Sequence, residues 1–182
     1  MKIISGFLKG RTIKGHNIEG TRPTMDRVKE SLFGIIQNYI PDSVCLDLFA
    51  GSGNLGIESI SNGSKLCYFN DINKACIKEI NKNVKDFNIE KQSIVLNKDW
   101  ESCLRHLNYS NIKFDVIFLD PPYKIECLND IIDKIIEYKL LNSDGLIICE
   151  ISKMYLKGFD SLEEIKNRKY GDKFIVIYKN KK

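Results

Sequence analysis

Asp120-Pro-Pro-Tyr123 closes an apolar run, Phe114-Asp-Val-Ile-Phe-Leu119, and sets a carboxylate, two stiff residues and an aromatic face in consecutive positions. These groups suit chemistry on the exocyclic amine of a planar base, a poor nucleophile because its lone pair is delocalised into the ring. The Asp120 carboxylate and the Pro121 carbonyl can each accept one of its hydrogens, draw the nitrogen toward tetrahedral geometry and aim its lone pair at an electrophile. Pro121 and Pro122 keep both acceptors aligned. Tyr123 offers a surface on which the base can stack. The chemistry that fits is a direct displacement, with no covalent enzyme intermediate and no metal.

A second run, Asp47-Leu-Phe-Ala-Gly-Ser-Gly-Asn-Leu-Gly56, follows another strand-like segment. Gly51, Gly53 and Gly56 satisfy the glycine spacing of a dinucleotide loop, so the glycines alone leave the cofactor open. Asp47 decides it. A carboxylate there would repel a pyrophosphate at a helix amino terminus, whereas S-adenosylmethionine carries a sulfonium and an ammonium that a carboxylate favours. Phe49, Ala50, Gly51, Ser52 and Gly53 then form the loop lying against the cofactor, the glycines allowing close approach. At the end of the next strand, Asn70 or Asp71 is expected to hold the ribose hydroxyls, with Asp71 preferred. Asp99 is placed to accept from the adenine amine, and Trp100 either covers the ring or packs in the core. In doubly wound sheets both runs meet where strand order reverses and a crevice opens.

Positioning them requires alternating elements. Strands are expected near 43–48, 65–70, 93–97, 114–119 and 144–150, and helices near 54–61, 73–86, 100–107, 127–138 and 155–163. The chain would close on a hairpin, one strand near 164–168 and a last strand reaching Tyr178. The alternation gives an α/β fold with a mostly parallel sheet covered on both faces. Ahead of it, Lys2 to Lys14 reads as a β-hairpin about a Lys-Gly turn. Thr21-Arg-Pro-Thr introduces a helix, with Thr24 as its cap and Asp26 in its first turn. Met25, Val28, Leu32, Ile35, Ile36 and Tyr39 share one face, which sets Arg27 and Lys29 outward. This divides the chain into a hairpin-and-helix extension, 1–40, and a Rossmann-like domain, 41–182.

At 182 residues the chain can bury a real core. No apolar stretch reaches the roughly 20 residues of a membrane span, and the first residues lack the apolar region of a signal peptide, so the expected location is cytoplasmic. Six cysteines without Cys-x-x-Cys or Cys/His spacing suggest neither a zinc site nor a disulfide framework; Cys45, Cys67 and Cys149 read as small buried apolar residues. Net charge is +4 but uneven: residues 1–30 carry seven basic against three acidic residues, and 164–182 carry seven against two. Basic ends on an acidic centre suit a polyanionic partner. Lys9, Arg11, Arg22 and Arg27 are the candidate contacts to its phosphates.

Ile4 to Arg11, Thr21-Arg-Pro-Thr-Met-Asp-Arg-Val-Lys-Glu-Ser-Leu-Phe33, Asp47 to Gly56, Phe114 to Tyr123 and Tyr170-Gly-Asp172 follow one another as in the RsmD-like family of bacterial 16S ribosomal RNA guanine-N(2) methyltransferases, which the chain resembles over nearly its whole length. The resemblance implies a class I S-adenosylmethionine-dependent methyltransferase with a seven-stranded Rossmann-like sheet. It also implies that the target is one guanine of 16S ribosomal RNA, in an assembling or assembled small ribosomal subunit; the chain is expected to be a monomer. Asn70-Asp71 departs from the family's single acid at the second strand. A DNA adenine-N6 methyltransferase would use the same Asp-Pro-Pro-Tyr chemistry, but this chain has no long insert for target recognition. A non-catalytic Rossmann-like RNA-binding protein would not need the intact Asp120 loop.

Overall fold

The computed structural model describes residues 1–15, 23–122, 127–151 and 156–181. Helix α1 spans Pro23–Ile36, and strand β1, Val44–Asp47, follows after a short 3-10 turn. The pairs α2 Asn54–Ser61 with β2 Leu66–Asn70, α3 Lys74–Asp86 with β3 Ser93–Leu96, and α4 Trp100–Tyr109 with β4 Phe114–Leu119 come next. Helix α5, Leu128–Glu137, leads to β5 Leu141–Ile151, and the chain ends on β6 Leu162–Tyr170 and β7 Lys173–Asn180. All seven strands form one sheet in the order β3-β2-β1-β4-β5-β7-β6. β1 to β5 run parallel, and β7 lies antiparallel to both β5 and β6. Order therefore reverses between β1 and β4, and the crevice opens at their carboxyl ends.

Strand alternation sends neighbouring residues to opposite faces. Cys45, Cys67, Phe69, Val116, Phe118, Ile148 and Ile175 join the apolar sides of α1, α2 and α3 in one core. Leu46, Tyr68, Ile117, Leu119, Ile147 and Val176 join α4 and α5 in the other. Ile3, Leu8 and Ile13 of the amino-terminal segment and Val28, Leu32, Phe33 and Ile36 of α1 belong to the first core, so the extension shares its interior with the sheet. Each such aliphatic side chain contributes about 1.5–3 kcal/mol by leaving water. Cys45, Cys67 and Cys149 are free and buried, as read from sequence.

Four expectations need correction. The segment expected to be a helix over 155–163 is irregular from Leu156 to Phe159 and enters β6 at Leu162, because that strand completes its hydrogen bonding along β7. The amino-terminal hairpin is reduced to a single antiparallel bridge, Lys2 to Thr12, because the backbone between them turns toward α2. Helix α1 begins at Pro23, so Thr24 lies inside its first turn; proline's fixed φ and missing N–H suit that first position. Lys29, set outward by its helical spacing, is only 3% exposed, for a reason given by its partner below.

Candidate active site

Each part of the glycine run has a distinct task. Gly51 and Gly53 have φ of 56° and 86°, left-handed values that other residues rarely adopt, and Gly53 opens α2. A Cβ on Gly51 would meet nothing within 4 Å, so this residue borders open space in the crevice. Gly56 is different: a Cβ there would come within 2.2 Å of Phe69, which makes it a seat for packing α2 on β2. The loop is fastened by Ala50 N–H to the Asn70 carbonyl at 2.9 Å and by Gly51 N–H to Asp71 Oδ2 at 2.9 Å. Phe49 is half-buried against the α4–α5 core, while Ala50, Ser52 and Gly53 are buried.

Asp47 ends β1 with its carboxylate buried at 2% exposure, and its Oδ2 accepts from Gly56 N–H at 3.0 Å. Burial pushes its carboxyl up to about 7 against that bond, and the charges of Asp120 and Asp71 add to the rise. Such a group favours a cationic neighbour. Asn70 is buried and committed to backbone, donating to the Leu48 and Lys98 carbonyls at 3.1 and 3.0 Å and accepting from Lys98 N–H at 3.2 Å. Asp71 is half-buried at the crevice and accepts from Gly51 and Asn73 N–H groups. Asp99 caps α4, accepting from Ser102 N–H at 2.8 Å, and this bond holds its carboxyl below the usual range. Trp100, next along, is half-buried and packs against the second core.

Asp120 lies one residue past β4, beside the end of β1, where Asp47 is paired with Phe118. Cys45 and Phe118 face the α1–α3 core, so Asp47 and Asp120, each two residues further, look to the same side. Alternation puts Glu150 of β5, two past Ile148, and Lys173 of β7, two before Ile175, on that side as well. Lys173 pairs with Glu150. Burial raises the Asp120 carboxyl above the usual carboxylate range, and the Lys173 ammonium draws it back. Pro121 is half-buried and Pro122 exposed; Tyr123 lies outside the described residues. Glu150 and Lys173 were not singled out from sequence, since neither belongs to a glycine or proline motif and only the antiparallel return of β7 joins them.

The four candidate RNA contacts do not share one region. Arg11 is exposed, lies 4.5 Å over the Phe87 ring and donates to the Asp86 carbonyl at 2.6 Å. Asp86 is the last residue of the 13-residue α3, whose other end meets the crevice, so Arg11 stands about 20 Å from it at 1.5 Å per helical residue. Lys9 is exposed in the same amino-terminal segment, whose Phe7 N–H reaches the Ser61 carbonyl at the far end of α2. Arg27 is exposed in the opening turns of α1, toward the crevice. Arg22 lies outside the described residues.

A buried ion pair ties these parts together. Lys29 Nζ lies 2.9 Å from Glu58 Oε2, both side chains nearly inaccessible, and also donates to the Lys2 carbonyl at 2.7 Å and to Asn54 Oδ1 at 2.8 Å. Glu58 accepts from Ile4 and Ser5 N–H and from Ser5 Oγ–H. Asn54 is the first residue of α2, immediately after the glycine loop. The signal for this hub was a lone glutamate among the small and apolar residues of α2 and a lysine beside the apolar stripe of α1.

A family model described as conserved hypothetical protein 95 matches residues 1–179. The "Putative rRNA methyltransferase YlbH" of Bacillus subtilis is 38% identical over 183 residues, covering 100% of both chains. Ribosomal RNA small subunit methyltransferase D of Haemophilus influenzae is 37% identical over 154 residues, which is 84% of this chain and 79% of that one. Among solved structures, the "Putative methyltransferase yhhF" of Escherichia coli superimposes with a TM-score of 0.88 at 27% identity, covering 100% of this chain and 98% of that one. The chain belongs to this conserved hypothetical protein 95 family, the RsmD-like methyltransferases.

Proposed function

We propose that the protein transfers a methyl group from S-adenosylmethionine to the N2 amine of one guanine in 16S ribosomal RNA, within an assembling or assembled small subunit. The observation that carries this reading is the side-by-side placement of the Gly51–Gly53 loop and the Asp120-Pro121-Pro122 turn, with Asp47 and Asp120 on one face. When bound, S-adenosylmethionine supplies a methyl group on a cationic sulfur. The open space at Gly51 and the buried Asp47 carboxylate suit that ligand, and Asp71, with Asn70 occupied by backbone, is the residue for its ribose. Asp99 and Trp100 border its adenine.

Asp120 and the Pro121 carbonyl orient the amine, and Tyr123 stacks the base. S-adenosylmethionine held between the Gly51–Gly53 loop and Asp47 would supply the methyl carbon to the N2 lone pair, the electron pair of the broken carbon–sulfur bond remaining on sulfur. N2 then loses a proton, for which Asp120, raised by burial, is the nearby acceptor. The relatives named as ribosomal RNA methyltransferases support the substrate class. No helix among the described residues is long and apolar enough to cross a membrane. We place the enzyme in the cytoplasm as a monomer, in keeping with an edge strand, β6, lined by charge.

The test is transfer of labelled methyl groups to 16S ribosomal RNA, to small subunits and to DNA, followed by nucleoside mapping. Label in N2-methylguanine at one position is expected. Label in DNA N6-methyladenine, or none from a protein that binds S-adenosylmethionine, overturns the reading.

A further inference from the structure

We infer that the carboxyl-terminal half of β6, through Lys166 and Arg168, forms with Arg27 of α1 a phosphate track that leads substrate RNA to the crevice at Asp120. The inference rests on the RNA methyltransferase reading above and names the surface that would grip the substrate.

Strand β6 is divided by charge. Glu163 and Glu164 occupy its first half, and Lys166, Arg168 and Lys169 its second. Because β7 is antiparallel to both β5 and β6, β6 runs in the direction of the parallel strands, and its basic half lies at the crevice end. The register confirms the level: Tyr170 pairs with Lys173, the residue whose ammonium faces Glu150 and acts on Asp120.

Lys166 pairs with Ile177 and Arg168 with Ile175, and both isoleucines belong to the α1–α3 core. Cross-strand partners share a face. Lys166 and Arg168 therefore lie on the side to which Asp47 and Asp120 look. Tyr170 occupies that side too, and its hydroxyl meets Ser31 Oγ of α1 at 2.6 Å. Arg27 is one helical turn before Ser31 on the same flank of α1, toward the crevice. The Tyr170–Ser31 contact thus joins the basic strand half to the helix flank that carries Arg27 beside the crevice.

These cations are free to act. All three are exposed, and among the described residues none is within ion-pair distance of a carboxylate. Arg168 lies 5.2 Å over the Tyr170 ring, which steadies it without neutralising it. Spaced cations on an extended strand beside the crevice match a sugar-phosphate backbone whose target base is turned inward.

The test is binding of a 16S ribosomal RNA transcript across a salt series by wild type and by a Lys166→Gln/Arg168→Gln variant, with calorimetric S-adenosylmethionine affinity and thermal unfolding measured alongside. Two lost phosphate contacts should weaken binding about tenfold and lower the logarithmic salt slope by about 1.4–1.8. Cofactor affinity and unfolding temperature should hold. A Glu163→Gln/Glu164→Gln variant, altered in the other half of the same strand, should keep the wild-type slope. Parallel slopes for wild type and the Lys166/Arg168 variant overturn the track, as does equal weakening by the Glu163/Glu164 variant. Wild-type methylation decides the enzymatic reading separately: a protein that methylates RNA yet loses no binding in the variant defeats only the track.

Discussion

At the amino ends of the parallel strands, Arg11 lies on Phe87 and donates to Asp86, Lys14 pairs with Asp86 at 2.8 Å, and Lys179 pairs with Asp144 at 3.1 Å. At the carboxyl ends, Asp47 and Asp120 are held in low-dielectric surroundings where their carboxyls rise, while Arg27, Lys166 and Arg168 stand exposed. The two poles carry similar residues and use them differently. Exposed pairs at the first brace the surface only weakly, since solvent screens them. Charges at the second are left available, which is the condition for binding a cation inside and a polyanion outside. Residue type alone therefore says less about an RNA contact than whether its charge is already answered.

The contrast is sharpest at Asp120. Replacing it with Ala is expected to lower single-turnover methyl transfer by about 10²–10⁴-fold, since in the proposed reaction it acts as the amine reacts. Calorimetric affinity for S-adenosylmethionine should stay within about twofold. A variant that transfers at the wild-type rate would remove Asp120 from the chemistry.

Glu58, between the poles, comes next. Glu58→Gln leaves Lys29 charged, buried and unpaired, and should cost about 3–5 kcal/mol in chemical denaturation. Adding Lys29→Met should recover part of the loss, because the two side chains are coupled. Additive losses would show that the pair is not the brace described.

Asp47 offers a pH signature. Its carboxyl is raised from 3.8 to about 7 in the folded chain, so its contribution to stability is present at low pH and fades as pH rises through that interval. Cofactor binding has the opposite sign: it needs the carboxylate, so affinity should climb by up to about tenfold per pH unit until about pH 7 and then level. Asp47→Asn should bind about tenfold or more weakly and show a flat profile. A wild-type titration without slope from pH 5.5 to 7 would separate Asp47 from the ligand.

The smallest expected effects compare the poles directly. Arg27→Gln should lower the RNA salt slope by about 0.7–0.9. Lys9→Gln/Arg11→Gln, altered at the far pole, should lower it by less than that single change. The reverse order, measured by RNA titration in a salt series, would move the grip to the far pole.

The sheet was legible because its strands are continuous apolar runs and its turns carry glycine and proline where only those residues fit. The Asp47 and Asp120 loops could be found for the same reason. Strand β6 was harder: exposed on both faces through most of its length, it has no alternation, while Leu156, Phe159 and Leu162 recur at three-residue spacing, which suggests a helix. Lys29 falls off the apolar stripe of α1, and helical spacing alone therefore sets it outward. Its buried partner comes from a helix 29 positions away, a pairing that neither local pattern contains. Asp71 could be preferred to Asn70 from sequence, but that Asn70 is committed to backbone follows only from the Leu48 and Lys98 carbonyls that engage its amide.

The anchoring of the first residues has a consequence for the order in which the chain can assemble during synthesis. Ile4 and Ser5 depend on Glu58, Leu8 N–H on Ser61 Oγ, Lys14 N–H on Asn83 Oδ1, and Arg11 on the Asp86 carbonyl, separations of 53 to 75 positions. At about 5–20 residues per second, Glu58 is made about 3–11 s after Ile4. The amino-terminal segment must therefore wait, its Ile3, Leu8 and Ile13 without the core that later covers them. Loop closure over that distance comes late on entropic grounds as well. This segment, translated before α2 and α3, is thus fitted after them, and by receiving Lys29 and the Glu58 carboxylate it locks a glycine loop that was made well after it.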